Sequence, residues 1–200
     1  MQTHYCELRA IPQEDRTQNQ VISDLVQVLH RYLPAYNNQD NQGNHAVALS
    51  FPVYGRGRSL GGIIRLHGRE ANLAELRQAL APVSGYVLIG AVEKVPASIK
   101  GYAVFIRRQY KGLAAARRLK ARYEKRADKQ WNDELAAAIV QKYSNHQFVP
   151  FVQIQSSSTG QPMRLHIEKR SASREIRGPF TGYGLSKSIE GQPLATVPLF

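Results

Sequence analysis

The first half of the chain alternates between two hydrophobic periodicities in an order that few folds accommodate. Alternating hydrophobicity predicts a strand at His4–Ala10, and further strands are predicted at His45–Phe51, Gly62–His67 and Tyr86–Val92. A period of three to four predicts an amphipathic helix from about Asn19 to Leu33, ended by Pro34, and a short helix in ANLAELRQAL. The resulting order, β-α-β-β-α-β, is that of a ferredoxin-like (RRM-like) domain. Because this fold hosts unrelated functions, it does not decide the activity.

The second half predicts a smaller domain. A strand-like YAVFIRRQ from Tyr102 precedes a basic helix, LAAARRLKARYEKRA, and a second helix is predicted from Asp133 to about Tyr143. Three strand candidates follow: FVPFVQIQ, MRLHIEK and the region around PFTGYGLS. Pro150 makes the first an edge strand or an irregular one. We therefore predict an α+β protein with a ferredoxin-like domain at residues 1–96 and a smaller α+β domain at residues 97–200 that carries the arginine-rich helix.

Length and composition narrow the class of protein. The 200 residues can bury a sizeable core without disulfides, and the single cysteine, Cys6, cannot form one within the chain. The segment MQTHYCELR lacks the apolar run of a signal peptide, and no stretch approaches the roughly 18 apolar residues of a membrane span. These features predict a soluble cytoplasmic protein.

The positive charge is concentrated in the second half. The formal net charge is +12; residues 1–100 carry 10 Lys/Arg against 8 Asp/Glu, whereas residues 101–200 carry 17 against 7. Such an excess indicates a polyanionic partner, and nucleic acid is the usual one, although a solubilising surface charge remains an alternative.

A cationic ridge is predicted on the basic helix. Residues 107–126 contain nine Lys/Arg and one acid, Glu124, so the i,i+4 acid–base pairs of an ordinary solvated helix are missing. Helical spacing aligns Arg118 and Arg122 on one face, with Arg117 beside them. Phosphates of a duplex would neutralise such a ridge; a solvated charged face is the alternative.

Three further features admit both a functional and a structural interpretation. Arg107 and Gln109 share one face of a strand and match the side chains that read guanine and adenine edges, but they are also consistent with plain exposure. His30 borders the apolar face of its helix, where a structural histidine is common. The cluster SSSTG between two strands is typical of a turn, yet three serines exceed what a turn needs.

Taken together, these motifs resemble a known enzyme family. His30 in an N-terminal helix, RRQ before an arginine-rich helix, SSSTGQ-x-x-R-L, and YGLSKS shortly before VPLF are similar to the type I-F CRISPR repeat-processing endoribonuclease, the RNA nuclease of the Csy complex. The resemblance covers nearly the whole chain. It implies cleavage of precursor CRISPR RNA at the 3′ base of each repeat hairpin, and retention of the mature guide RNA as a subunit of the surveillance complex.

The resemblance also implies roles for individual residues. His30, Ser156 and Tyr183 match the catalytic residues, with Ser158 in support. The remaining matches are the RNA-binding residues Arg107, Gln109, Arg117, Arg118, Arg122, Met163 and Arg164. Two departures are Ser157, where a longer polar side chain is expected, and Met163, where an aromatic is expected. Stacking on a base should be weaker at methionine.

Cleavage by the RNA's own 2′-hydroxyl would need no metal or other cofactor, and would leave a 2′,3′-cyclic phosphate and a 5′-hydroxyl. The sequence agrees, because its six histidines show no H-x-x-x-H or H-E-x-x-H spacing and no cysteine pair or D-x-D cluster is available. Two alternatives stay open: a non-catalytic RNA-hairpin-binding subunit, and a DNA-binding or assembly subunit of a mobile element.

Overall fold

The computed structural model describes residues 2–38, 42–109, 113–125, 132–144, 148–156 and 160–200. The helices and strands, in chain order, are β1 His4–Ala10, α1 Gln18–Asn37, β2 Ala48–Ser50, β3 Ile63–Gly68, α2 Glu70–Ala79, β4 Val87–Lys94, β5 Gly101–Arg108, α3 Leu113–Glu124, α4 Asp133–Ser144, β6 Phe151–Gln155, β7 Pro162–Ala172 and β8 Val197–Leu199.

The first sheet has the predicted ferredoxin-like topology. Its strand order is β2-β3-β1-β4, and β1 pairs antiparallel with both β3 and β4. Alternate residues of β1, Cys6 and Leu8, are fully buried, whereas Arg9 is exposed. The period-2 pattern thus marks the face that packs into the core, and the α+β fold class is confirmed.

Helix α1 is longer than predicted. It begins after a capping box, in which Thr17 and Gln20 satisfy each other's backbone N–H groups. The expected end at Pro34 is wrong, because the helix continues to Asn37. Proline removes one hydrogen bond, but the N–H of Asn38 still donates to the Pro34 carbonyl and the Asn37 side chain is anchored elsewhere in the fold. Tertiary contacts therefore hold the last turn.

The second sheet has the order β6-β7-β5-β8, which places β6 at an edge, as Pro150 predicted. The strand expected around PFTGYGLS is absent from this described segment: only one isolated bridge, Phe180 to Ser186, forms there. The intervening residues close into a turn, since the N–H of Gly184 donates to the Thr181 carbonyl at 2.8 Å. The short strand β8 was not predicted.

The chain forms two compact units, Met1–Arg107 with Val149–Phe200, and Arg108–Phe148. Both sheets belong to the first unit, where the rings of Phe51 and Phe105 meet edge to face with centroids 5.5 Å apart. The second unit contains α3 and α4, which pack against each other. The domain boundary at 96/97 stays a prediction. No helix among the described residues is both long and apolar enough to cross a bilayer.

Candidate active site

Helix α1 presents His30 to a loop from the far end of the chain. The Nδ1 atom of His30 lies 2.9 Å from the carbonyl oxygen of Gly182, and the imidazole stacks on the Tyr183 ring with centroids 3.7 Å apart and planes 9° from parallel. The sequence therefore folds so that two residues 153 positions apart share one ring-to-ring contact. The predicted pair of His30 and Tyr183 is brought together.

The hydrogen bond to Gly182 determines which ring nitrogen of His30 is available to accept a proton. A carbonyl oxygen can only accept, so Nδ1 of His30 must carry the proton. In the neutral imidazole, Nε2 then keeps its lone pair and can accept a proton. The stacked Tyr183 ring restricts rotation of the imidazole about its side-chain bonds. This arrangement suits a general base held in one tautomer.

The loop that carries Tyr183, residues 181–185, is fixed by its own hydrogen bonds. The Thr181 hydroxyl accepts from the N–H groups of Tyr183 and Leu185, both at 3.3 Å. Gly184 has φ +68°, and a Cβ there would lie 2.6 Å from Cγ of Leu49. At Gly184 the protein core therefore comes close to the backbone. We call residues 181–185 the tyrosine loop.

Asn37 attaches the tyrosine loop to the end of α1. Its Nδ2 donates to the carbonyls of Val47 and Thr181 at 3.0 and 2.8 Å, and its Oδ1 accepts from the Val47 N–H at 2.9 Å. Asn37 is buried, so losing these bonds would leave unsatisfied polar atoms in the core. The sequence offered no signal for this residue, because it lies beyond the proline that was expected to end the helix.

Strand β6, which leads into the serines, is docked along the same helix. The Oγ of Ser23 accepts from the Gln153 N–H at 3.2 Å, and Oε1 of Gln27 accepts from the Gln155 N–H at 2.6 Å. These two side chains cover the open edge of the strand. Ser156 follows directly, one residue beyond the second contact. Ser156 thus directly follows a strand that is attached to the helix bearing His30.

The loop at residues 156–161 is closed at its base. Ser156 donates its N–H to the Gln161 carbonyl at 2.9 Å, and the Gly160 N–H donates to the Ser156 carbonyl at 2.8 Å. Gly160 has φ +65° with open space around it, so glycine is required there by the backbone conformation. We call residues 156–161 the serine loop. Ser158, predicted to support catalysis, lies outside the described residues.

Arg107 lies close to the tyrosine loop. It is exposed at the end of β5, two residues after the buried Phe105, whose carbonyl accepts from the Ser186 N–H at 2.8 Å. Burial raises the pKa of the Tyr183 hydroxyl, and the positive charge of Arg107 partly offsets that shift. The phenol therefore stays neutral at physiological pH, and a cation stands beside the pair of rings.

The other predicted RNA-binding residues are distributed over both units. Arg164 is exposed on β7 with its guanidinium 5.0 Å from the Phe151 ring centroid, whereas Met163 is partly buried and packs against the core. Gln109 follows β5 in the second unit and is exposed. The three predicted arginines lie on α3; of these, Arg118 and Arg122 have exposed side chains, and the Arg117 side chain is outside the described set.

Sequence reasoning missed Asn37, the Gly182 carbonyl and Gln27. A backbone carbonyl has no sequence signature. Gln27 stands three residues before His30 on the same helix, and this spacing was the one available signal, since residues three apart are neighbours on a helix surface. Spacing alone does not reveal which strand such a glutamine meets.

Comparison with known proteins adds an independent finding. Residues 5–200 match the family model described as CRISPR-associated protein (Cas_Csy4). A protein named CRISPR-associated endonuclease Cas6/Csy4 from Escherichia coli (strain UTI89 / UPEC) is 29% identical over 203 residues, covering 98% of this chain and 99% of the relative. One of the same name from Pseudomonas aeruginosa (strain UCBPP-PA14) is 32% identical over 195 residues, covering 92% and 95%. The chain therefore belongs to the Cas_Csy4 family of CRISPR-associated proteins.

Proposed function

We propose that this chain is a metal-independent endoribonuclease that cuts precursor CRISPR RNA at the 3′ base of the repeat hairpin. The observation that carries the proposal is the orientation of His30, with Nδ1 bonded to a carbonyl and the ring stacked on Tyr183. Family membership supplies the substrate class, because the relatives are named as CRISPR-associated endonucleases.

The reaction uses a nucleophile that the RNA itself provides. Nε2 of His30 takes the proton of the ribose 2′-hydroxyl, a bond forms between O2′ and phosphorus, and the bond from phosphorus to O5′ breaks. The leaving oxygen takes up a proton from solvent, which gives a 2′,3′-cyclic phosphate and a 5′-hydroxyl. Since no water has to be activated, the step needs no metal. A positioned base contributes roughly 10²–10⁴-fold to such a rate.

Ser156 and its neighbour Ser158 would hold the ribose. A hydroxyl hydrogen-bonded to O2′ aligns it with phosphorus and the leaving oxygen, which is a contribution from orientation. The attachment of β6 to α1 supports this role, because Ser156 directly follows the second of the two contacts. Tyr183 would keep the imidazole in the orientation that places Nε2 toward the sugar.

Recognition of the hairpin would combine base and phosphate contacts. Arg107 and Gln109 are proposed to read bases at the foot of the stem, where an A-form helix is accessible. The α3 arginines Arg117, Arg118 and Arg122 would contact phosphates along the stem, and Met163 and Arg164 would contact the nucleotides near the cut. Tight binding of the hairpin product gives a single turnover, and the protein then remains on the guide RNA with the other subunits of the type I-F surveillance complex.

Cleavage of a purified repeat transcript in EDTA tests the proposal. We expect cutting to persist, the upstream product to end in a cyclic phosphate, and a substrate with a single 2′-deoxy substitution at the cut to bind but stay intact. Loss of cutting in chelator would refute the metal-free mechanism. Cutting of the deoxy substrate would refute attack by the 2′-hydroxyl.

A further inference from the structure

The contact between Gln27 and Gln155 joins the two halves of the candidate site. Gln27 lies three residues before His30 on α1, so their side chains are neighbours on one face of the helix. The imidazole itself contacts Gly182 and Tyr183 of the tyrosine loop. On the other side, Gln155 is bonded to Ser156 through a single peptide unit. The 2.6 Å hydrogen bond thus links the helix that bears the base to the residue that precedes Ser156.

The two elements match in spacing, which explains why the contact can form. Ser23 and Gln27 are four residues apart, about 6.0 Å along a helix at 1.5 Å per residue. Gln153 and Gln155 are two residues apart, about 6.6 Å along a strand at 3.3 Å per residue. Both side chains can therefore accept from alternate N–H groups of the edge strand at once. His30 lies three residues beyond Gln27 on the helix, and Ser156 lies one residue beyond Gln155 along the chain.

We propose that Gln27 is a positioning residue for the cleavage reaction: its side-chain carbonyl holds the Gln155 N–H and so fixes the adjoining Ser156 relative to His30. The inference rests on the proposed function. It assigns the glutamine no contact with RNA; the side chain acts on the separation between the general base and the hydroxyl that holds the ribose. A misplacement of about 1 Å between groups that must be aligned for reaction lowers the rate of the chemical step by up to roughly 100-fold.

The chain offers a matched set of variants. Gln27→Met keeps the length and removes the acceptor, whereas Gln27→Glu keeps an oxygen that accepts from the same N–H. Ser23→Ala removes the equivalent hydrogen bond to β6, one helical turn farther from His30. It is the control for the loss of one side-chain contact to the edge strand. Three quantities are measured for each: the single-turnover cleavage rate at saturating protein, the dissociation constant of the hairpin product, and the exchange rate of the Gln155 amide hydrogen.

We expect Gln27→Met to lower the cleavage rate by about 10- to 100-fold, to leave product binding within about twofold and to accelerate exchange at Gln155. We expect Gln27→Glu to restore the rate to within about threefold of the parent, and Ser23→Ala to cut normally. A parental rate for Gln27→Met, or equal losses for Gln27→Met and Ser23→Ala, would overturn the positioning role alone. A parent protein that leaves the repeat RNA intact would overturn the proposed function and the positioning role with it.

Discussion

The buried imidazole of His67 makes the stability of this protein depend on pH in a defined window. His67 is fully buried on β3, its Nε2 lies 2.8 Å from Oγ of Ser50, and its Nδ1 has no hydrogen-bond partner among the described residues. Burial, with a smaller effect from the charge of Arg65, lowers the pKa of His67 from its ordinary value of 6.5 to about 3. The folded protein therefore keeps this ring neutral at pH values where the unfolded chain protonates it.

The sign and size follow from linkage. Above pH 6.5 neither state binds the proton, so His67 has no effect on the pH dependence. As the pH falls below 6.5, the unfolded chain gains a proton that the folded state does not bind, and stability is lost progressively toward the folded pKa of about 3. A pH of 5.0 is 1.5 units below 6.5. At 1.36 kcal/mol per unit, the free energy of unfolding is therefore lower by about 2 kcal/mol at that pH.

The comparison protein for this measurement is the double variant Ser50→Ala, His67→Phe. It removes the titrating group and its partner together, so neither polar atom is left buried alone. Free energies of unfolding would be measured by urea titration, followed by circular dichroism, at pH 7.5 and 5.0. We expect the parent to lose about 2 kcal/mol more than the double variant between the two values. The range stops at pH 5.0 because Glu7, although burial alone would raise its pKa, has that pKa lowered by Arg65 and Arg9 and contributes at more acidic values.

Equal losses in the parent and the double variant would refute the reasoning. That result would mean that the folded protein protonates His67 as readily as the unfolded chain does, and hence that the ring is not sealed from water.

Three other perturbations test the site and its surroundings. His30→Ala should abolish cleavage and leave hairpin affinity within about threefold, because a base acts in the reaction and not in binding; gel-shift and single-turnover assays check this, and parental cutting would leave the histidine a structural residue. Arg118→Ala with Arg122→Ala should weaken hairpin binding and reduce the slope of log affinity against log salt by about 2, measured by titration in increasing KCl; an unchanged slope would remove α3 from the interface. Gly184→Ala should lower the free energy of unfolding, measured by urea titration, by about 1–3 kcal/mol more than the control Gly191→Ala. Both glycines have positive φ, 68° and 74°, but of the two only Gly184 has a close neighbour at its Cβ position. Equal losses in the two variants would show that the core accommodates the added methyl group without a cost in stability.

The start of the ferredoxin-like sheet was predictable because the residues of β1 alternate between buried and more exposed positions. Cys6 and Leu8 alternate with more exposed residues, and Thr17 with Gln20 defines the start of α1 through contacts between near neighbours in sequence. Local periodicity and capping are properties of a short segment, so no tertiary information was needed. The predicted end of α1 was wrong for the opposite reason. The last turn depends on Asn37, whose side chain is hydrogen-bonded to Val47 and Thr181 from other parts of the fold.

For the candidate site, the sequence predicted residues and not the geometry that joins them. The sequence indicated His30, the serines and Tyr183 through motifs, and the structure adds the atoms that orient them. The tautomer of His30 depends on the carbonyl of Gly182, and the attachment of the serine loop depends on an amide N–H of Gln155. Every residue carries these backbone groups, so no pattern of side chains identifies the ones that will be used.

By itself, the sequence determined the α+β class, the order of elements in the first sheet and the concentration of positive charge after residue 100, and it nominated candidate site residues. The tertiary structure alone decided that helix α1 passes Pro34, that PFTGYGLS closes into a loop and not a strand, and that the loop's backbone meets the imidazole. The physical reason is range. Periodicity and charge are read from neighbours along the chain, whereas the pairing of a ring nitrogen with a carbonyl 152 residues away depends on how the whole core packs.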